Sequence, residues 1–271
     1  MFGLADAKRS LLHTSFIFAR DVFRYFTHQF SRFRGVYESF PQARARASST
    51  KRIGFNHADL ARKYEAEVCL NLDNSDYPVL YHLSRILTDN CTVLDFGGNV
   101  GVHYLRYRKH LRGEKVRWIV CDVPEITKVG RELCAGISNI AFVNDIHEIN
   151  ESKIDVFLAS DSLQYIESNS LLLPSLIDRG IRPRHILIDQ LPLYDGPQFV
   201  TLQNGGLVRY PQYVFNRKEY VNSIVDVRYE FIDSWDCSNF SCTIPFHPER
   251  LVRTYSGLYF RAADENEVFC Q

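Results

Sequence analysis

The sequence predicts an α/β fold: a doubly wound, mostly parallel sheet with N-terminal helices and antiparallel strands at its C-terminal edge. Short apolar runs alternate with amphipathic helical runs between Thr92 and Leu193, which is the pattern of βαβ units. Helical patterns precede this region, whereas glycines, prolines and β-rich runs follow Pro192. With 271 residues, 45% of them hydrophobic, the chain can bury the core that such a domain needs.

The N-terminal part, residues 1–56, is predicted to be a basic amphipathic helix and a linker ahead of the main domain, residues 57–271. Residues 1–35 contain no proline, and their apolar residues recur at helical spacing. Residues 1–52 carry ten Lys and Arg against three acids, and residues 41–56 are polar, as in an exposed linker. Packing on protein, including a second copy of the chain, is preferred for the apolar helix face; an anionic membrane surface is the alternative.

The main domain begins with two predicted helices, "HADLARKYEAEVCLNL" and "YPVLYHLSRIL". The predicted strands that follow are "TVLDF", "VRWIVCDV", "IAFVND", the start of "IDVFLASDSLQYI", and "HILIDQLPL". Between them lie the helical runs "GVHYLRYRKHL", "PEITKVGRELCA" and "SLLLPSLIDRGI". Pro124 suits a first helical turn, whereas Pro174 is expected to break its helix. "YEFIDSWDC" and "GLYFRA" are predicted to be antiparallel edge strands.

Composition limits the function classes. The formal net charge is zero, so no global footprint for nucleic-acid binding is visible. The seven cysteines include no CxxC pair, which predicts buried thiols in a reducing compartment and no zinc site at Cys237, Cys242 and His247. No apolar run is long enough to span a membrane, and no signal peptide is evident. We therefore expect a cytoplasmic protein, with peripheral contact at the inner membrane surface as the alternative for the N-terminal helix.

The stretch "TVLDFGGNVGVHYL" has the pattern of a ligand-binding loop between a strand and a helix. In doubly wound sheets such loops lie at the carboxyl ends of strands, where ligands bind. A phosphate-binding P-loop requires a lysine followed by Ser or Thr, which is missing here. A dinucleotide fingerprint requires glycines at i, i+2 and i+5, whereas these lie at 97, 98 and 101. A tight turn that binds nothing is the remaining simple interpretation.

The same stretch resembles the cofactor loop of class I S-adenosylmethionine-dependent methyltransferases. That pattern is an apolar strand, an acid, any residue, and three glycines at alternate positions. In "VLDFGGNVG" the acid is Asp95, and Asn99 replaces the middle glycine, a mild change because asparagine tolerates positive φ. The resemblance implies a Rossmann-like fold and S-adenosyl-L-methionine as cofactor, with Asp95 facing its amino group. The implied loop contacts are Asp95, Phe96, Gly97, Gly98, Asn99 and Gly101.

Polar residues at the next strand ends agree with this resemblance. Asp122, followed by Val123, lies where a carboxylate would bind the ribose hydroxyls. Asn144 and Asp145 lie where such enzymes contact adenine. The resemblance places Ser160 and Asp161 between the cofactor and the molecule that receives the methyl group.

More narrowly, the chain resembles a family of predicted methyltransferases encoded in bacterial surface-polysaccharide gene clusters. The resemblance covers roughly residues 35–235, and it implies a saccharide or related small acceptor. Its motifs are "GVYESF", "GFNHADL", "VLDFGGNVG", "SDSLQYI", "ILIDQLPL" and "TLQNGG…RYPQYVFNRKEYV". Gln190 stands where the family often has arginine, and "NGGLV" replaces an apolar, proline-bearing stretch. These differences keep an inactive binding scaffold as an alternative; glycine spacing disfavours a third class, NAD-dependent oxidoreductases.

Methyl transfer to an oxygen acceptor depends on alignment and on a general base. The candidate bases are Asp189, which we prefer on sequence grounds, Asp161 and His147. The candidate acceptor-binding residues are Gln164, Tyr165, Gln190, Tyr210 and Tyr213. The expected partner is a small-molecule or glycan acceptor, and a homo-oligomer is left open.

Overall fold

The computed structural model of the chain describes residues 19–23, 32–47, 52–66, 68, 71–111, 115–149, 151 and 153–263. The strands are β1 (Phe33–Tyr37), β2 (Arg52–Ile53), β3 (Thr92–Phe96), β4 (Arg117–Cys121), β5 (Ile140–Val143), β6 (Val156–Ser160), β7 (His185–Leu191), β8 (Leu193–Tyr194), β9 (Phe199–Asn204), β10 (Val208–Asn216), β11 (Tyr229–Cys237) and β12 (Tyr255–Ala262). The helices are α1 (Phe40–Ala45), α2 (Ala58–Ala66), α3 (Asp76–Ile86), α4 (Val102–Tyr107), α5 (Pro124–Leu133), α6 (Asn169–Asp178) and α7 (Arg217–Val225).

A seven-stranded sheet forms the centre of the molecule, in the order β11-β12-β7-β6-β3-β4-β5. Strands β3 to β7 pair in parallel, and β12 joins β7 antiparallel before pairing with β11. The strand order reverses between β3 and β6, which is the switch point where doubly wound sheets bind ligands. The predicted fold class, including the antiparallel C-terminal edge, is confirmed.

Successive residues of the central strands point to opposite faces of the sheet, and each face packs on its own apolar layer. Leu94 of β3 joins one buried cluster with Ile119 and Phe157. Val93 joins the cluster on the other face, which contains Trp118. Burial on both faces explains why these strands read as continuous apolar runs in the sequence.

Helix boundaries follow local chemistry in most places. Pro124 occupies the first turn of α5, as predicted, and the Asn216 side chain caps α7 by accepting from the Glu219 N–H at 2.9 Å. The predicted break at Pro174 is wrong, because α6 continues through it. Proline removes only the hydrogen bond to the carbonyl of Ser170, four residues earlier. Ser170 is exposed, so we infer that water can satisfy that carbonyl.

Residues 33–47, 52 and 53 form strands and a helix where the sequence predicted a helix end and a linker. Phe33 is buried in β1, which pairs antiparallel with β9, and Pro41 opens α1 behind the Ser39 cap. Strands β1, β9, β10 and β2 make a second sheet, with β8 paired to β10. The partners of this segment lie more than 150 residues away in the sequence, so local polarity could not reveal them. The division at residue 56 itself stays a prediction.

The predicted N-terminal helix lies mostly outside the described residues. Residues 19–23 are helical, and the Asp21 carboxylate accepts the backbone N–H of Phe246 at 3.1 Å. Cysteines 91, 121, 134, 237 and 242 are free and buried, as predicted for structural thiols. Among the described residues, no helix has the length and apolar character needed to cross a membrane.

Candidate active site

A cleft of about 860 Å³ opens at the carboxyl edge of the parallel strands. Its volume lies within the range of small-molecule and cofactor pockets. Segments from the ends of β3, β4, β5, β6 and β7 line it, together with residues of the second sheet and of the segments before α2 and α3. The lining includes these sequence-predicted residues: Phe96, Gly97, Asn99, Asp122, Val123, Asn144, Asp145, His147, Ser160, Asp161, Tyr165, Gln190 and Tyr210.

The glycine loop is held tightly between β3 and β6. Gly97 has a φ of +71°, and a Cβ there would lie 2.3 Å from the Ser162 Cβ. Ser162 also donates its hydroxyl to the Phe96 carbonyl at 2.8 Å. Gly101 has a φ of +89° at the start of α4. These contacts show why the loop needs glycine: side chains would separate it from β6 and strain its backbone.

Asn99 does what the sequence predicts of an asparagine in the middle glycine position. Its φ is +57°, in the left-handed region that asparagine tolerates. Its side-chain oxygen accepts the Val100 N–H at 2.8 Å, which fixes the turn. Asn99 therefore adopts the left-handed conformation that a glycine at this position of the usual pattern would allow.

Asp122 connects the glycine loop to the end of β4. One carboxylate oxygen accepts the Asn99 N–H at 2.9 Å, and the other accepts the Val123 N–H at 2.7 Å. Each oxygen retains a lone pair for a ligand in the cleft. Burial raises the pKa of Asp122 to about 6, although both backbone donors act in the opposite direction.

The end of β5 supplies a third polar group. The Asn144 side chain accepts the Thr127 hydroxyl at 2.5 Å, which connects it to α5. Asp145 accepts the His147 N–H at 2.8 Å and thereby caps a short 3-10 turn. His147 lies on that turn and is exposed at the cleft surface.

Asp161 lies at the end of β6, between the glycine loop and the second sheet. Its backbone has a φ of +48°, an uncommon conformation for a residue other than glycine. Its carboxylate accepts Gln164 Nε2 at 2.5 Å and lies 3.4 Å from the Tyr165 hydroxyl. Burial raises the pKa of Asp161 to about 7, against the opposing effects of Arg32 and these two donors.

Asp189, the preferred base on sequence grounds, lies beneath the cleft instead of in its wall. The residue is only 2% exposed. Its carboxylate accepts Trp235 Nε1 at 2.8 Å, Cys237 Sγ at 3.2 Å and Ser160 Oγ at 3.3 Å. With these partners and no opening to the cleft, Asp189 is suited to joining β6, β7 and β11, and Asp161 replaces it as our candidate base.

An aromatic corner, formed by Phe55, Tyr165 and Tyr210, lines the cleft beside Asp161. Phe55 stacks on Tyr210 with ring centroids 4.3 Å apart and meets Tyr165 edge-on at 4.9 Å. Phe55 lies in the segment that the sequence analysis assigned to a linker. The motif "GFNHADL", which contains Phe55 and belongs to the family resemblance, could have indicated that this residue lies at the site.

A buried amide network supports the aromatic corner from the second sheet. With the Gln203 amide oriented to match its neighbours, its nitrogen donates to Gln212 Oε1 at 2.6 Å and to the Tyr165 hydroxyl at 2.8 Å. Its oxygen accepts from Arg32 Nε and Nη2, both at 3.1 Å. These bonds fix the position of Tyr165 and connect β9 and β10 to the cleft wall.

Other predicted site residues lie outside the cleft lining: Asp95, Gly98, Gly101, Gln164, Asp189 and Tyr213. Gln164 is fully buried and contacts Asp161 from behind. Tyr213 packs on Phe40 and donates to the Glu167 carbonyl at 3.1 Å. Neither side chain reaches the cleft surface. The residue type alone could not distinguish such a supporting position from direct contact with a ligand.

Two basic side chains of α4 line the cleft without having been predicted from sequence. His103 and Arg106 are three residues apart, so they share one helix face. Fully buried Asp95 binds His103 Nδ1 at 3.0 Å and accepts Trp118 Nε1 at 2.9 Å. Arg106 pairs with Asp76 at 2.8 Å. The i, i+3 spacing after the glycine loop was a signal that could have found this pair.

No protein-family model and no curated protein sequence matches the chain. Its fold is similar to that of the 1,6-didemethyltoxoflavin-N1-methyltransferase of Burkholderia thailandensis, solved with 1,6-didemethyltoxoflavin and S-adenosylhomocysteine bound. The TM-score is 0.52 at 17% identity, over 75% of this chain and 82% of that one.

Two further solved structures show the same fold. A methyltransferase of Aquifex aeolicus that uses S-adenosylmethionine has a TM-score of 0.50 at 17% identity, over 75% of this chain and 97% of that one. The mitomycin 7-O-methyltransferase has a TM-score of 0.51 at 17% identity, over 83% of this chain and 61% of that one. The chain therefore has the fold of S-adenosylmethionine-dependent methyltransferases, as predicted.

Proposed function

We propose that the protein is an S-adenosylmethionine-dependent methyltransferase acting on a saccharide or related small acceptor. The observation that carries the proposal is the Asp122 carboxylate, held in the cleft by one N–H of the glycine loop and one from the start of α5. This couples an acid suited to ribose hydroxyls with a loop whose backbone a ligand can approach closely.

The residues present fit such a cofactor. Asp122 would hold the ribose, and Asn144 with Asp145 would hold the adenine at the neighbouring strand end. Gly97 and Asn99 would face the sulfur-bearing part across the loop. When bound, the cofactor supplies an electrophilic methyl group on a sulfonium. A neutral-to-cationic ligand of this kind requires no P-loop lysine, in agreement with the sequence of the loop.

Asp161 is our proposed general base. It lines the cleft at the junction of the glycine loop and the aromatic corner, where an acceptor hydroxyl or amine would need to lose a proton. Its raised pKa, about 7, is suited to a base that exchanges protons near neutral pH. Gln164 and Tyr165 contact the Asp161 carboxylate and restrict its side chain to one rotamer.

The acceptor side favours a ring-shaped, hydroxyl-bearing molecule. The aromatic corner offers apolar ring faces, while Asp161, Gln190 and the Tyr210 hydroxyl offer polar groups around it. Saccharides combine an apolar ring face with hydroxyls in this way. The resemblance to surface-polysaccharide methyltransferases supports the same acceptor class and a role in polysaccharide biosynthesis.

Calorimetry with S-adenosylhomocysteine and with NAD tests the cofactor. We expect S-adenosylhomocysteine to bind and NAD not to bind; binding of NAD alone would contradict the proposal. A panel of monosaccharides and nucleotide sugars with labelled cofactor then tests turnover. Cofactor binding without methyl transfer to any member would favour the binding-scaffold alternative.

Asp161→Asn is expected to abolish turnover and, at pH 8, to raise the free energy of unfolding by roughly 1–3 kcal/mol. The folded-state pKa, about 7, lies above the unfolded value near 3.8, so the ionised carboxylate destabilises the fold above pH 7. That penalty falls as the pH drops from about 7 towards 4. Chemical denaturation of both proteins across this range measures the difference, which should shrink on acidification. A difference that is constant with pH would contradict the assignment.

A further inference from the structure

The acids around α4 are more deeply buried than the bases that they pair with. Asp95 has a side chain that is 0% exposed and lies outside the cleft lining, whereas His103 and Arg106, 12% and 18% exposed, line the cleft with Asp76, which is 5% exposed. Each acid is paired with one base, at 3.0 Å and 2.8 Å. At this point the cleft therefore exposes more of the two basic side chains than of the acids that pair with them.

Asp95 fixes the orientation of the His103 ring. Its two oxygens lie 3.0 and 3.1 Å from Nδ1, and Trp118 Nε1 holds the carboxylate from the other side at 2.9 Å. Tyr107 stacks on the ring with centroids 5.8 Å apart. Among the hydrogen bonds of the described residues, none engages His103 Nε2, which leaves that nitrogen for the cleft.

The sheet order gives the direction in which the cofactor would lie. Asn144 and Asp145 follow β5, Asp122 follows β4, and the glycine loop follows β3, on adjacent strands. A nucleoside held by the first two strand ends would extend its remaining end past the glycine loop towards α4. In the proposed cofactor that end is an amino acid, with one carboxylate.

We infer that His103 binds this carboxylate through Nε2, and that Asp95 is a positioning residue that acts through His103. The inference rests on the proposed function and identifies the group that recognises the amino-acid end of the cofactor. The resemblance of the sequence implied that Asp95 contacts the cofactor's amino group directly. The inference gives Asp95 a different role, that of orienting His103.

The electrostatic surroundings support an imidazolium at this position. Burial acts to lower the pKa of His103, but Asp95 outweighs it with help from Asp76, so the pKa is raised; Arg106 opposes the rise. Asp122 and Asp189 are the other charged groups that interact with it. A protonated ring donates from both nitrogens, one to Asp95 and one to the ligand.

The test compares two ligands that differ at one end. S-adenosylhomocysteine carries the amino-acid end, whereas 5′-methylthioadenosine lacks it. His103→Gln, which keeps a donor but removes the charge, should weaken S-adenosylhomocysteine binding roughly tenfold or more while changing methylthioadenosine binding by less than about twofold. Asp122→Asn serves as the matched control because it should weaken both ligands alike. Calorimetry measures the affinity of the wild-type protein and of both variants for each of the two ligands, and circular dichroism confirms the fold of each variant.

The wild-type protein gives a second measurement that needs no variant. The pKa of His103 is raised above its ordinary value, so the ring loses its charge as the pH rises above that value; S-adenosylhomocysteine should then bind more weakly while methylthioadenosine should not. Equal loss of both ligands in His103→Gln, or no loss of either, would overturn the inference and leave the proposed function standing. If His103→Gln instead weakened the binding of an anionic acceptor and left S-adenosylhomocysteine binding unchanged, the inference would also be overturned. Absence of binding by the wild-type protein to both ligands would overturn the proposed function as well.

Discussion

Asp122→Ala is expected to weaken S-adenosylhomocysteine binding by roughly 100-fold or more. The reason is that its carboxylate, oriented by the N–H groups of Asn99 and Val123, would accept two ribose hydroxyls, and hydrogen bonds to charged groups are worth about 1.5–3 kcal/mol each. Removal of the carboxylate also leaves two backbone donors of the loop without their acceptor. Calorimetry of the variant and of the wild-type protein measures the loss.

Two controls make this result specific. Asp178→Ala removes an exposed carboxylate at the end of α6, away from the cleft, and should bind like the wild-type protein. In the wild-type protein, affinity should fall as the pH drops through about 6, because protonation of Asp122 removes one acceptor and its charge. Unchanged binding by Asp122→Ala would refute the cofactor assignment of the cleft.

Gly97→Ala is expected to lower the free energy of unfolding by about 2–5 kcal/mol and to remove cofactor binding. Two penalties add. Alanine at a φ of +71° costs about 1–2 kcal/mol, and its Cβ would lie 2.3 Å from the Ser162 Cβ, a clash typical of overpacking, which costs about 1–3 kcal/mol. Relief of the clash would move the loop away from β6 and disturb the cleft wall.

Gly136→Ala is the matched control for this prediction. Gly136 has a similar φ of +84°, but a Cβ there would meet nothing within 4 Å, so only the backbone penalty of about 1–2 kcal/mol should appear. Ser162→Gly should also rescue part of the Gly97→Ala defect, because it removes the atom that is struck. Chemical denaturation of the single and double variants measures this coupling. A loss no larger than that of Gly136→Ala would show that the close approach is unimportant.

The local pattern of the sequence determined the central sheet and the loop. Strand β3, the glycine loop and Asp122 at the end of β4 follow one another within about thirty residues. A short stretch of sequence is therefore enough to predict this part of the site. The left-handed conformation of Asn99 likewise depends on the residue and its immediate neighbours. Positions with local causes such as these are readable from residue type and spacing.

Only the tertiary structure decided which polar residues face the cleft. Asp161 follows the apolar strand β6 and Asp189 lies within the apolar strand β7. Trp235 and Cys237, more than forty residues beyond Asp189, engage Asp189, which leaves Asp161 as the base candidate. Asp95 is fully buried and contacts His103 and Trp118, partners that its place at a strand end does not reveal. Strands β1 and β2 pair with β9 and β10, respectively. Each outcome depends on contacts between distant parts of the chain, whose chemistry a local pattern does not contain.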